Sequence, residues 1–202
     1  MIPVPPIRPS NMSMPKMQAR NRNRFASALA FAYVVAASAF AQDKGPIKSV
    51  EVVQNNEGYV ATVVMFAPVA HTVAWHVLTD FNNMEKWVPN VRESKITSRD
   101  GNTLMVEQKG VAKFALLTFP YTSVRKMQLQ PQSTIQATQV TGSMRRLVSL
   151  MKVTPEGTGT RLDYKLEIEP SGVAATVMDK EYLQREITEQ FKAIVAEMVK
   201  RK

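Results

Sequence analysis

The stretch that most limits the architecture is "TRLDYKLEIEPSG", residues 160–172, together with the segment after it. Leu162, Tyr164, Leu166 and Ile168 alternate with Arg161, Asp163, Lys165, Glu167 and Glu169. A strand with that alternation buries one face and leaves the other in water. Pro170-Ser171-Gly172 ends it and offers Ser171 as a helix N-cap. Val173, Val177, Leu183, Ile187, Phe191, Ile194 and Met198 then fall on one helical stripe. The spacing predicts one C-terminal helix of about 28 residues, near 40 Å at about 1.5 Å per residue, long enough to cross a small domain. A one-sided strand and a one-sided helix leave two apolar surfaces, and each needs a cover.

The upstream sequence supplies the rest of a sheet. "YVATVVMF", Tyr59 to Phe66, is a β-branched run that reads as a buried strand and stops at Ala67-Pro68. Val73, Val77 and Phe81 recur at a spacing of four, which predicts a helix over 69–81. A short helical turn is expected over Met84 to Trp87. Period two then takes over: "VRESKITS" and "NTLMVEQKG" are joined by Arg99-Asp100-Gly101, a hairpin signal. Further strands are expected within Phe114–Met127, Thr134–Val140 and Arg146–Thr154. Pro155-Glu156-Gly157-Thr158-Gly159 turns into the last strand, and its Gly-x-Gly lacks the lysine and helix of a phosphate loop.

This order predicts an α+β fold: a bent antiparallel sheet of six or seven strands, two short helices after the first strand, and the long C-terminal helix as the sheet's cover. A lipocalin-type barrel has no helices between its first two strands, so the segment 69–87 argues against one. A bent sheet cannot touch a straight helix everywhere, and the space left is either filled by side chains or open as a cavity. Eight methionines follow Ala41; they suit an adaptable apolar lining and equally suit gap filling in a core.

The N-terminal segment reads as a targeting signal. Arg20, Arg22 and Arg24 precede the uncharged run Phe25–Ala41, which ends in Ala39-Phe40-Ala41. A basic region, a short apolar run and a small-x-small site form a secretory signal peptide. The expectation is cleavage after Ala41 and a periplasmic domain over 42–202; an uncleaved inner-membrane anchor is the alternative. Met1, Met14 and Met17 all stand open as starts. All 17 acidic residues follow Ala41 whereas five of the 26 basic ones precede it, so the exported domain carries +4 rather than +9. Much of the basic balance is therefore leader. Arg145-Arg146 and Lys200-Arg201-Lys202 remain as basic spots without any nucleic-acid motif, and weak contact with an anionic membrane surface is the partner they suit.

Chemistry-bearing residues are sparse. With no cysteine there is no disulfide, thiolate nucleophile or lipidated N-terminal cysteine. His71 and His76 are the only histidines, and five residues apart on a helix they do not share a face for a metal. His76 and Asp80, at i and i+4, are weak catalytic candidates as a base and its orienting carboxylate, against a solvated helix-end pair. Arg125 and Arg145 would offer a cation to an anionic head group if they point inward, although charged residues lie at the surface by default. Neither a metal nor a cofactor is implied.

"APVAHTVAWHVLTDFNNMEKWVPNV", residues 67–91, resembles the opening of the START-like (SRPBCC) helix-grip superfamily, whose members include polyketide cyclase/dehydrase and coenzyme-Q-binding START-domain proteins. The matching features are Ala67-Pro68, Trp75 ahead of Leu78-Thr79-Asp80, and Trp87-x-Pro89; "GTGTRLDYKLEIEPSG" resembles the family's last hairpin and strand. The resemblance covers about residues 50–200 and implies a deep apolar cavity between sheet and last helix, entered near the short helices. Candidate ligand-binding residues are Trp87, Tyr164, Leu183, Val177 and Val106. Trp87 has two readings, a ligand contact at the cavity mouth and a structural plug on the last helix. The functional expectation is a periplasmic carrier or sensor of a hydrophobic, lipid-like molecule. The alternative is a cyclase, dehydratase or hydrolase acting in the same cavity.

Overall fold

The computed structural model describes residues 45–114 and 117–202. The expected leader, the expected cleavage site after Ala41 and the three residues that follow it lie outside the described residues. The chain forms β1 (Ile47–Gln54), β2 (Tyr59–Ala67), α1 (His71–Thr79), a 3-10 segment (Phe81–Lys86), β3 (Val91–Asp100), β4 (Thr103–Phe114), β5 (Leu117–Gln130), β6 (Thr134–Gly142), β7 (Arg146–Glu156), β8 (Gly159–Glu169), α2 (Val173–Val177) and α3 (Lys180–Lys200). The strands make one antiparallel sheet in the order β1-β2-β8-β7-β6-β5-β4-β3. β2 pairs with β8, so the first and last strands of the expected pattern meet within the sheet. α3 grips the concave face.

Both the helix-grip architecture and the two short helices after the early strands are as expected. The sheet has eight strands rather than six or seven. The additional one is β1, "IKSVEVVQ", whose burial is confined largely to Val52. An edge strand needs backbone partners more than an apolar face, which leaves little period-two signal to read.

The C-terminal helix departs from expectation. It is broken at Met178-Asp179, and α3 itself has 21 residues. Asp179 caps α3 by accepting from the Tyr182 amide at 2.7 Å, while the Tyr59 hydroxyl donates to the Met178 carbonyl at 2.8 Å. These two bonds satisfy polar groups that a continuous helix would have used internally. Ser171 is not a cap; its hydroxyl donates to the Ser143 carbonyl at 2.8 Å, and Gly172, at φ +56°, leads into α2. Val173 is 54% exposed and leaves the stripe.

The core lies between the concave face and the helices. Ala61, Val63 and Met65 of β2, Leu162 and Leu166 of β8, and Leu104 and Val106 of β4 point inward and are buried. Phe191, Ile194, Val195 and Met198 of α3 and Ala74, Val77 and Leu78 of α1 meet them. α3 packs closest to β1, β2 and α1. Away from that side the strands curve off and a gap opens.

Candidate ligand-binding cavity

The gap is a cavity of about 410 Å³ between the first half of α3 and the inner faces of β4 to β8, within the size range of small-molecule sites. Leu147, Leu166, Ile168, Leu183 and Ile187 form much of its apolar wall. Its floor on β4, β5 and β6 is polar. The register explains why: Gln108 faces Ser123, and Val106 faces Arg125, which in turn faces Gln139. Side chains directly opposite one another in an antiparallel sheet share a face. Gln108, Ser123, Arg125 and Gln139 thus occupy the inward positions that Leu104, Met127 and Ala137 hold further along the same strands. Val140 lies in a break of register between Val124 and Arg125, a bulge immediately beside the Arg125–Gln139 pair that bends the strand there.

Arg125 is held by a one-way chain of donors. Its Nη2 donates to Gln108 Oε1, Gln108 Nε2 donates to Ser94 Oγ at 3.0 Å, and Ser94 Oγ donates to the Phe81 carbonyl at 2.5 Å. The chain ties the guanidinium to the 3-10 segment and fixes its orientation. The surface that Arg125 retains faces the cavity. Burial pushes its pKa down, opposed by Tyr164 and Tyr121, and an arginine so displaced remains charged because its starting value is so high. Among the described residues three buried wall atoms have no hydrogen-bond partner: Arg125 Nε, Ser123 Oγ and Gln139 Oε1.

Three tyrosines flank this floor. Tyr164 hydrogen-bonds Ser149, and burial raises its pKa; its ring meets Phe191 edge-on at 4.8 Å. Burial also raises Tyr121. Tyr182 is pushed up to about 12, by burial first and then by the Glu186 carboxylate. All three phenols are therefore neutral donors at physiological pH. At the rim, Asn90 Nδ2 donates to Glu186 Oε2 at 2.9 Å, joining the loop before β3 to α3. Gly110 permits this closure, since a Cβ there would stand 2.1 Å from the Asn90 carbonyl and 2.6 Å from the Tyr121 ring.

Of the residues singled out from sequence, Tyr164 and Leu183 line the cavity. Val106 is fully buried in the core instead, and Val177 sits on α2 outside the wall. Trp87 also lies away from it: the ring is partly buried against the core, and the Arg201 guanidinium sits 5.9 Å from its centre. That places Trp87 against the far end of α3. His76 is exposed. Asp80 takes Asn83 at 2.7 Å and Arg201 at 2.8 Å as partners, not His76. His71 Nε2 lies 3.2 Å from the Val153 carbonyl. Arg145 is exposed, whereas Arg125 points inward. Among the described residues no cluster of three His, Cys, Asp or Glu could hold a metal ion, and no helix is long and apolar enough to cross a membrane.

Sequence reasoning left out Gln108, Ser123, Tyr121, Gln139 and Tyr182. A signal for β5 was present. In "YTSVRKMQL", Tyr121, Ser123, Arg125, Met127 and Leu129 share one phase, and the two apolar members mark it as the inner one.

The geometry has known counterparts. The chain is similar to TTHA0849 of Thermus thermophilus, at 13% identity and a TM-score of 0.61 over 71% of this chain and 99% of that one. It is also similar to a STAR-related lipid transfer protein of Xanthomonas axonopodis, at 13% identity and a TM-score of 0.58 over 74% and 98%. A third likeness is to the ZhuI aromatase/cyclase of Streptomyces sp. R1128, at 14% identity and a TM-score of 0.56 over 70% and 94%. Identities this low establish the fold alone. No curated protein sequence matches the chain. Residues 58–199 match the family model described as polyketide cyclase / dehydrase and lipid transport, and the chain belongs to that family.

Proposed function

We propose that the protein is a non-catalytic carrier or sensor that binds one small hydrophobic molecule between the sheet and α3. The observation that carries this reading is the cavity itself: an apolar wall from β7, β8 and α3 over a floor of a few fixed polar groups, the composition of a binding pocket. Its phenols are held neutral and its guanidinium charged, so the floor offers donors and a positive charge but no group set to exchange a proton near neutral pH. The lipid transfer protein of X. axonopodis shares the fold over 98% of its chain. The segment ending in Ala39-Phe40-Ala41 supports action in the periplasm after cleavage at Ala41.

Native mass spectrometry of the protein purified from the periplasm, with extraction of bound molecules, tests both parts. The expected result is a species beginning at Gln42 with one bound lipid-like molecule. A product that retains Phe25 in the membrane removes the periplasmic assignment, and a protein that takes up no hydrophobic probe removes the carrier reading. The second reading is a cyclase-type enzyme. It is favoured by Arg125 beside the Tyr121 and Tyr164 hydroxyls, which would polarise carbonyl oxygens of a bound chain, and by the likeness to an aromatase/cyclase. Turnover of a keto-acyl substrate that is lost on Tyr164→Phe would establish it.

A further inference from the structure

Among the described residues the positive charge on the polar floor has no counterion. Arg125 makes no ion pair among the described residues, and the titratable groups acting on it are two phenols, neutral at physiological pH. Its side-chain hydrogen bond goes to the uncharged Gln108. Removing an unpaired cation from water is costly, and such groups persist in proteins where a partner of opposite charge is supplied. Here no protein group among the described residues supplies it.

The unpartnered atoms say more about the missing partner. Arg125 Nε can only donate. Gln139 Oε1 can only accept, because Gln139 Nε2 donates to the Met144 carbonyl at 2.8 Å, and exchanging the amide would set two acceptors face to face. Ser123 Oγ can do either, and Ser123 is only 8% exposed. Arg125 and Gln139 are direct cross-strand neighbours, and Ser123 is two residues from Arg125 on the same face. The floor therefore asks for an anionic acceptor with a donor close beside it.

On the ligand-binding reading above, we infer that the cavity takes a single-chain carboxylic acid bearing a hydroxyl one or two carbons from the carboxylate, a 2- or 3-hydroxy fatty acid. The carboxylate lies against Arg125 and Ser123, matching the guanidinium fork, and the hydroxyl donates to Gln139 Oε1. One arginine balances one negative charge, whereas a phosphate monoester of about −1.5 to −2 would leave an excess buried. At about 30 Å³ per water-sized group, a 410 Å³ cavity holds on the order of a dozen heavy atoms, which suits a chain of about ten carbons.

The test is calorimetric titration of the purified protein at neutral pH with 3-hydroxydecanoate, decanoate and 1-decanol. The expected order is 3-hydroxydecanoate first, decanoate about three- to tenfold weaker for the lost neutral hydrogen bond, and decanol weaker again by tenfold or more. Arg125→Met should level the acids with decanol while decanol binding persists. Gln139→Leu should level the two acids and leave decanoate unchanged. If decanol binds the unmodified protein as tightly as both acids, the head-group assignment is overturned and the carrier reading stands. If all three fail to bind, both fall. Because the ligand series is run on the unmodified chain, a variant that misfolds leaves the comparison of head groups intact.

Discussion

The two flanks of α3 face the same sheet and meet opposite environments. Toward β1, β2 and α1 the helix lies directly on Ala61, Val63 and Met65, all fully buried, and the packing is dry. Toward β4, β5 and β6 the same inward phase continues, yet it presents Gln108, Ser123, Arg125 and Gln139 to a cavity. The strands do not change type between the flanks; their distance from the helix does. Where a straight helix touches a curved sheet, close packing selects apolar residues by size and shape. Where the sheet curves away, polar groups can face inward because the space is open to another molecule. The dry flank is the scaffold and the open flank is the site.

Substitutions should separate the flanks by kind of effect. Phe191 is buried and joins the two, meeting the Tyr164 ring edge-on. Phe191→Asp removes that burial and adds an unpaired charge, so it should cost more than about 3 kcal/mol and unfold the domain in a thermal melt. An unchanged melting temperature would mean that α3 does not dock as described. Trp87→Ala acts on the scaffold side only. It should lower stability by about 2 kcal/mol, less than a full core truncation because the ring is partly exposed, and leave affinity for a fluorescent lipid probe within twofold. A tenfold loss of affinity at full stability would move Trp87 to the mouth.

Arg125→Met should do the reverse of Trp87→Ala. The half-buried cation is relieved but Gln108 Oε1 loses its donor, so stability should change by no more than about 1 kcal/mol while the preference for acids is removed. A larger loss of stability would show the guanidinium to be a structural member through Gln108 and Ser94. Asn90→Ala breaks the Glu186 link at the rim; the expected result is a few-fold faster probe release in stopped flow, with stability changed by no more than about 1 kcal/mol.

The smallest effect concerns pH at the closed end. Burial raises the Asp80 pKa, but the hydrogen bonds from Asn83 and Arg201 outweigh it, so the carboxyl sits below its usual 3.8. A folded-state pKa below the unfolded one contributes stability at higher pH and loses it as pH falls through the folded value. Asp80→Asn should therefore cost under about 1 kcal/mol at pH 7, and the cost should shrink as the pH is lowered below 3.8, by parallel melts. His76→Ala should change neither stability nor binding.

Much of the frame was legible in the sequence. The alternation in residues 161–169, the stripe from Leu183 to Met198 and the Asp100-Gly101 turn each depend on neighbours a few residues away, and local periodicity is set by the 2.0 and 3.6 residue repeats of the backbone. β1 was not legible, since an edge strand with one buried side chain leaves almost no pattern. The break at Met178-Asp179 was half legible: Asp179 is a good cap, but the Tyr59 hydroxyl that holds the Met178 carbonyl comes from 119 residues away.

The site divides in the same way. The inward phase of Arg125 could be read from Met127 and Leu129 on its own strand, and Tyr164 and Leu183 from their stripes. What the sequence determined by itself is therefore which face of each element turns inward, because that depends on spacing along one chain. What only the tertiary structure decided is which inward residues meet a packed helix and which meet a cavity. Trp87 and Val106 turned inward and found the core; Ser123, Arg125 and Gln139 turned inward and found open space. That outcome depends on where a curved sheet parts from a straight helix, a distance set jointly by strands and helices far apart in the chain and carried by no single segment.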